Sequence, residues 1–219
     1  MEKFAIIIPD RCDRPEFLEH CLFQMDRQTL KPDRKYIINY FPESKTPDLV
    51  TRVRCGVEYA VNDGIDIVYI IENDDYYPDD YFEKNFIGDY DFVGIPFTHY
   101  YHIMTGGHLY MPNEHQKSSS LFCTGLRVSV IKNFQWSMVP GVVLDRILWK
   151  YAVDQKCKCN LLLTPALPIG IKHGLGLCPG AGHNTNFYSD IDKDFAWLRS
   201  KVRPESFDFY MDIKNKYGP

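Results

Sequence analysis

No apolar run in this 219-residue chain is long enough to cross a bilayer, and Met1-Glu2-Lys3 lacks the flanks of a secretory leader. A cytoplasmic protein without an integral membrane segment is therefore expected. Positive charge is not in excess either: 25 Lys and Arg stand against 29 Asp and Glu, a net charge of −4. That balance speaks against a broad basic face for non-specific nucleic-acid binding, and leaves room only for a local groove. A cysteine framework is also missing. The seven cysteines are scattered, and the one close pair, Cys157-x-Cys159, has no second pair to complete a zinc site. Reduced thiols are expected. The late glycine-rich stretch from Gly174 to Gly182 lacks the strand-to-helix setting and the spacing of a phosphate-binding P-loop.

What the chain does have is a run of β-branched and aromatic residues, Ile65 to Ile71, that ends abruptly in Glu72-Asn73-Asp74-Asp75. Such a run reads as a buried strand delivering carboxylates to its C-terminal end, the side of an open α/β sheet where ligands bind. Crowded carboxylates repel one another unless a cation relieves them, so a divalent-metal site holding a diphosphate is one reading. A solvated acidic turn is the other.

Upstream, Phe4 to Ile8 is an unbroken apolar run with the pattern of a strand buried on both faces, stopped by Pro9. Asp13 and Glu16 read as the two ends of a capping box opening a helix whose apolar face is Phe17, Leu18, Cys21, Leu22 and Met25. Tyr36 to Tyr40 is a second strand. Thr46-Pro47 opens a second helix, with Leu49, Val50, Val53, Val57 and Ala60 on its core face and Asn62-Asp63-Gly64 at its end. Strand and helix alternating over the first third predict an α/β fold with a mostly parallel sheet and helices on both faces.

Downstream, Asp91 to Pro96 is a further strand, and Phe97 to Met111 a hairpin about Gly106-Gly107. Within it His99 and His102 fall on opposite faces, so these and His108 read as surface or pocket-wall histidines rather than a metal cluster. Leu161 to Leu163 is a short strand, Ile169 to His173 follows it, and Gly174 to Asn184 is either a flexible lid or an inert linker. Residues from Asp192 to Leu198 suggest a helix, and Pro204 starts a last amphipathic segment with Phe207, Tyr210 and Met211 as packing residues.

The segments IIIPDRCDRPEFLEHCL and RVRCGVEYAVNDGIDIVYIIENDDYYPDDYFEK resemble the GT-A glycosyltransferases of the large family-2 type. The first matches that family's apolar strand, proline, short loop, Arg-Pro and Leu/Cys-Leu helix. The second matches an Arg and Gly in a helix, a strand, a D-x-D type cluster and a Pro-Asp-Tyr helix. The resemblance implies a single GT-A domain over 1–219. Its nucleotide-sugar half would span 1–95, an acceptor-side half with a flexible loop 96–190, and a helical tail 191–219. It implies Mn2+ or Mg2+ as cofactor, with Asp74 and Asp75 as ligands and a late histidine, His173 or its rival His183, completing the site. Pro9, Arg11, Arg14, Asn39, Arg54, Glu72, Asn73, Thr124, Gly125 and Lys172 would line the donor, a UDP-sugar by preference. Asn39 stands where the family carries an Asp, and Glu72 occupies the first D-x-D position. Asp145, in Leu144-Asp145, matches the second position of the pair that supplies the family's catalytic base. A plain helix-start Asp is the competing account of that residue.

The expected activity is thus metal-dependent, inverting transfer of a sugar to an acceptor hydroxyl on a small molecule, glycan, protein or modified DNA base. Two other readings stay open. A nucleotidyltransferase would carry a glycine-rich basic loop after the first strand, where this chain has Asp10-Arg11-Cys12-Asp13-Arg14. A non-catalytic nucleotide-sugar-binding module would keep the fold without the chemistry.

Overall fold

The structure, a computed structural model, describes residues 2–40, 48–112, 117–139, 143–163, 166–175 and 190–218. Its first third alternates as expected: β1 (Phe4–Asp10), α1 (Pro15–Asp26), β2 (Arg34–Asn39), α2 (Leu49–Asn62) and β3 (Ile67–Ile70). β1 pairs in parallel with both β2 and β3. It is buried on both faces. Ala5 and Ile7 pack with Val53, Val57 and Ala60 of α2, while Phe4, Ile6 and Ile8 pack with Cys21 and Met25 of α1.

Then come α3 (Tyr81–Lys84), β4 (Phe92–Gly94), β5 (Phe97–His102), β6 (Gly107–Pro112), β7 (Gly125–Arg127) and α4 (Val128–Ile131). After these follow α5 (Leu144–Asp154), β8 (Cys159–Leu161), β9 (Ile169–Lys172), β10 (Asp190–Ile191), α6 (Ala196–Lys201) and α7 (Pro204–Tyr217). Six strands form one sheet in the order β2-β1-β3-β7-β4-β8. Three of its five pairings are parallel, and β7 runs antiparallel to both neighbours. Helices cover both faces: α2 and α5 on one, α1 and α3 on the other.

A second sheet, in the order β10-β6-β5-β9, extends the predicted hairpin, whose turn holds Gly106 at φ +70°. Its outer residues Tyr101, Ile103 and Ile171 form a third apolar cluster with Leu198 of α6 and Phe207, Tyr210 and Ile213 of α7. No helix among the described residues is long and apolar enough to cross a membrane. Cys12, Cys21, Cys55, Cys123, Cys157 and Cys159 are free thiols.

Two local expectations are corrected. Pro9 does not stop β1, which continues to Asp10 in register with β2. Ile7 presents its carbonyl to Ile71 on the β3 side, and alternate residues point the same way. The missing N–H of Pro9 therefore faces that side beyond the β3 ladder, which ends at Ile7, so no hydrogen bond is forfeited. Asp13 is not the cap of α1 either; Arg14 takes that position with no side-chain cap, and Pro15 begins the helix. Asp13 lies beside Arg11 and Arg14 at 3.3 and 3.6 Å, and Glu16 accepts instead from Lys216, at 2.9 Å, and the Tyr217 hydroxyl. The start of α2 at Thr46-Pro47 lies outside the described residues.

Candidate functional site

β3 leads into Glu72-Asn73-Asp74-Asp75 at the C-terminal edge of the parallel strands, where β1 also ends in Asp10. The turn is held from every side. The Glu72 N–H donates to the Tyr77 hydroxyl at 3.0 Å, and the Asn73 amide to the Asp10 carboxylate at 2.8 Å. Gln24 of α1 donates to the Asp75 carbonyl at 3.1 Å and accepts from the Tyr77 N–H at 2.7 Å. β9 closes the opposite side: Tyr76 and Ile169 exchange backbone hydrogen bonds at 3.0 Å, and the Ile171 N–H donates to Asp75 Oδ1 at 2.7 Å.

Carboxylate oxygens of Glu72, Asp74 and Asp75 lie within 4.8 Å of one another. The cations that relieve this crowding come from the chain itself. Lys172, at the end of β9, feels burial working against its charge, but Asp75, Asp74 and Glu72 outweigh it and raise its pKa. The Arg14 guanidinium donates to Asp74 Oδ2 at 3.0 Å, and His173 Nε2 lies 2.9 Å from the same oxygen. Burial alone would raise the Asp74 pKa; the His173 hydrogen bond and the Arg14 charge reverse that and hold it well below the usual range. Its neighbours behave oppositely. Burial, reinforced by the Asp74 and Glu72 charges against the pull of Lys172, pushes Asp75 well up. Burial likewise pushes Glu72 to about 7, with Lys172 opposing and Asp74 and Asp145 adding to the rise.

Whether these residues suit a divalent ion turns on the donor set. Three hard carboxylate donors converge, and Asp75 Oδ2, fully buried, has no hydrogen-bond partner among the described residues. An orphaned acceptor in that position asks for a partner, and oxygen donors of this kind suit Mg2+ or Mn2+. The site fits such an ion. His173, expected as a further ligand, is not turned to an ion here: with its Nδ1 accepting, the neutral ring carries its proton on Nε2, directed at Asp74 Oδ2. His173 is held by the Leu175 N–H, which donates to Nδ1 at 3.1 Å, and by the Phe17 ring at 4.6 Å. His183 lies outside the described residues, as do 176–184 of the glycine-rich stretch.

Asp145 sits half-buried in the first turn of α5, its Oδ1 accepting from the Arg146 N–H at 2.8 Å. Its charge is one of those that raise the Glu72 pKa, which places it within electrostatic reach of the cluster. Arg11 stands at the rim beside Asp13 and, at 3.8 Å, Asp48; Asn39 ends β2 exposed, opposite Asp10; Pro9 flanks the same strand ends.

Three expected donor contacts are not brought together with the cluster. Arg54 lies on the solvent face of α2, 3.4 Å from Glu58, because the helical period turns Arg52 inward instead. Thr124 is fully buried, its hydroxyl donating to the Ser120 carbonyl at 2.9 Å and accepting from the Trp149 indole at 3.1 Å. Gly125 is a packing residue: a Cβ there would stand 2.5 Å from the Tyr69 ring.

Residues that sequence reasoning passed over are Gln24, Asp10 and Arg52, and His102, read as a surface or pocket-wall histidine, is buried. Gln24 falls on the apolar face of α1, three residues beyond Cys21, and a polar residue in that register is the signal that could have marked it. His102 pairs in register with Lys172, and burial, with the nearby His173, lowers its pKa.

No family model and no curated protein matches the sequence. Among solved structures, the fold is similar to one described as the crystal structure of A197 from STIV. The TM-score is 0.44 and the identity 14%, over 74% of this chain and 82% of that one.

Proposed function

We propose that the protein is a GT-A type glycosyltransferase that moves a sugar from a nucleoside-diphosphate donor to an acceptor hydroxyl with inversion. The observation that carries this reading is the convergence of Glu72, Asp74 and Asp75 with Arg14, Lys172 and His173, with Asp145 in electrostatic reach. Acidic donors and fixed cations at one strand end suit a ligand that is itself a polyanion carrying a divalent ion. The antiparallel strand set into an otherwise parallel sheet, and the sequence resemblance, support the same fold assignment.

Asp74 and Asp75, with Glu72 beside them and His173 orienting Asp74, would hold Mn2+ or Mg2+, which would neutralise the charge of the departing diphosphate. Arg14 and Lys172 offer fixed positive charge to the same phosphates. As the acceptor oxygen bonds to the anomeric carbon, the bond from that carbon to the phosphate oxygen breaks and its electron pair leaves with the nucleoside diphosphate. The acceptor proton passes to the Asp145 carboxylate. Asp10, Asn73 and Gln24 fix the turn, so the carboxylates do not reorganise during the reaction.

A panel of nucleotide-sugars, UDP-sugars first, incubated with Mn2+ or Mg2+ and acceptors of each class, tests the reading by nucleotide release. Asp74→Asn and Asp145→Asn should each lower turnover by about 10²-fold or more while the far-ultraviolet circular dichroism spectrum stays that of the folded parent. Near-normal turnover in folded Asp145→Asn would remove that residue from the mechanism.

A further inference from the structure

We propose that His99 and His108, with Asp190 beside them, form a second cation site, selective for Zn2+ and related transition ions. It lies on the outer face of the second sheet and stands independently of the carboxylate cluster at Glu72, Asp74 and Asp75.

Strand register builds the site. β5 pairs with β6 so that His99 is opposite Tyr110, and Tyr101 is opposite His108. Paired residues share a face of a sheet and alternate residues return to it, so His99 and His108 are diagonal neighbours on one face. His102, in register with Lys172, turns to the other face. β10 then places Asp190 directly across from His108, on its face again. Three neighbouring strands thus present two imidazoles and a carboxylate in a row.

The spacing of the rings suits one shared ion. Their centroids are 5.9 Å apart and their planes differ by 13°. An ion bonded at about 2.0 Å to one nitrogen of each ring would lie about 3.2 Å from each centroid, so it can serve rings up to about 6.4 Å apart. His99 Nδ1 and His108 Nε2 are buried and have no hydrogen-bond partner among the described residues. A buried polar atom left in that state is unfavourable, and a neutral imidazole can place its lone pair on either nitrogen, ready for a cation.

The surroundings hold the pair in place. Trp197 of α6 covers His108 at 3.9 Å and approaches His99 at 5.7 Å, while Tyr110 lies 5.1 Å from His99. These rings limit how the imidazoles turn and keep part of the solvent away. Burial is the largest influence on the His108 ring, and Asp190 is the first of the charges that oppose it. Asp192 is committed elsewhere: it accepts from the Tyr101 hydroxyl at 2.9 Å and the Leu198 N–H at 3.1 Å. Imidazole ligands favour Zn2+, Ni2+ or Cu2+ over Mg2+, so the site differs in kind from the all-oxygen cluster. An ion here would tie the two-residue strand β10 to the hairpin.

The test is a calorimetric titration of Zn2+ into the full chain in excess Mg2+, which competes at the carboxylate cluster. Zn2+ should bind the parent, and His99→Gln and His108→Gln should each weaken that binding by about tenfold or more, with unchanged circular dichroism. A second measurement needs no variant: in the parent, the imidazole proton resonances of His99 and His108 should shift together on adding Zn2+, while those of His102 stay. Binding in both histidine variants within about threefold of the parent would overturn the site and point to the free thiols instead. A parent that binds no Zn2+, or shifts confined to other histidines, would overturn it as well.

Discussion

His20 shows how one side chain sets a pH limit on the molecule. It is buried between α1 and α7, its ring stacked on Phe209 at 4.0 Å and edge-on to Tyr210 at 5.5 Å, with Nε2 lacking a partner. Burial lowers its pKa to about 4. The unfolded chain takes up this proton near pH 6.5 and the folded chain only near 4, so the unfolded state gains as pH falls between those values. His20 thus contributes fully to stability above about 6.5, and its contribution declines by about 3 kcal/mol toward pH 4. Urea unfolding across that range should show a decline in the parent that is shallower in His20→Phe, the remainder coming from the other buried histidines such as His102. A parallel pH profile in the two proteins would contradict this.

At the scale of the element, Arg52 locks α2 to the strand ends. Its Nη1 donates to the carbonyls of Ile38, at 2.8 Å, and Asp10; its Nη2 donates to the Tyr40 carbonyl and the Asp48 carboxylate, both at 2.7 Å. The Tyr40 ring lies over the guanidinium at 3.8 Å. Arg52→Met would strand these acceptors, and the urea midpoint should fall by the equivalent of about 3 kcal/mol or more. This residue also marks where sequence reading stops. The strands through Ile6 and Val68 were legible because unbroken apolar runs have few other uses, and the α2 face because its period is helical. Arg52 was not, since an arginine reads as surface until the carbonyls that surround it are known, and Arg54 was chosen in its place. The same holds for the carboxylate cluster. Its position could be read from strand followed by acid, whereas Lys172 entered only as a donor-lining residue through the family resemblance, because a second sheet about 100 residues downstream brings it in. β7, only three residues long, carries too little pattern to announce its direction.

Across the whole molecule, α7 joins the end of the chain to its beginning. Phe207, Tyr210 and Ile213 are buried against the second sheet and α1, and Arg203 forms a paired contact with Asp79. Each apolar side chain contributes about 2 kcal/mol on burial, and a domain's entire stability is about 5–15 kcal/mol. A chain cut before Pro204 should therefore show no cooperative melting transition by circular dichroism. The sheet carries a different consequence, for how the protein is made. Among the described residues β4 pairs only with β7 and β8, both of which leave the ribosome after it, and the outer edge of β3 meets β7 alone. During synthesis both edges must wait, unsatisfied, for residues 125–127 to emerge. A nascent chain halted shortly before that point presents an open strand edge to any chaperone or neighbouring chain. The first of the three residues that finally close it admits no side chain, because the Tyr69 ring already fills the space where Gly125 would carry one.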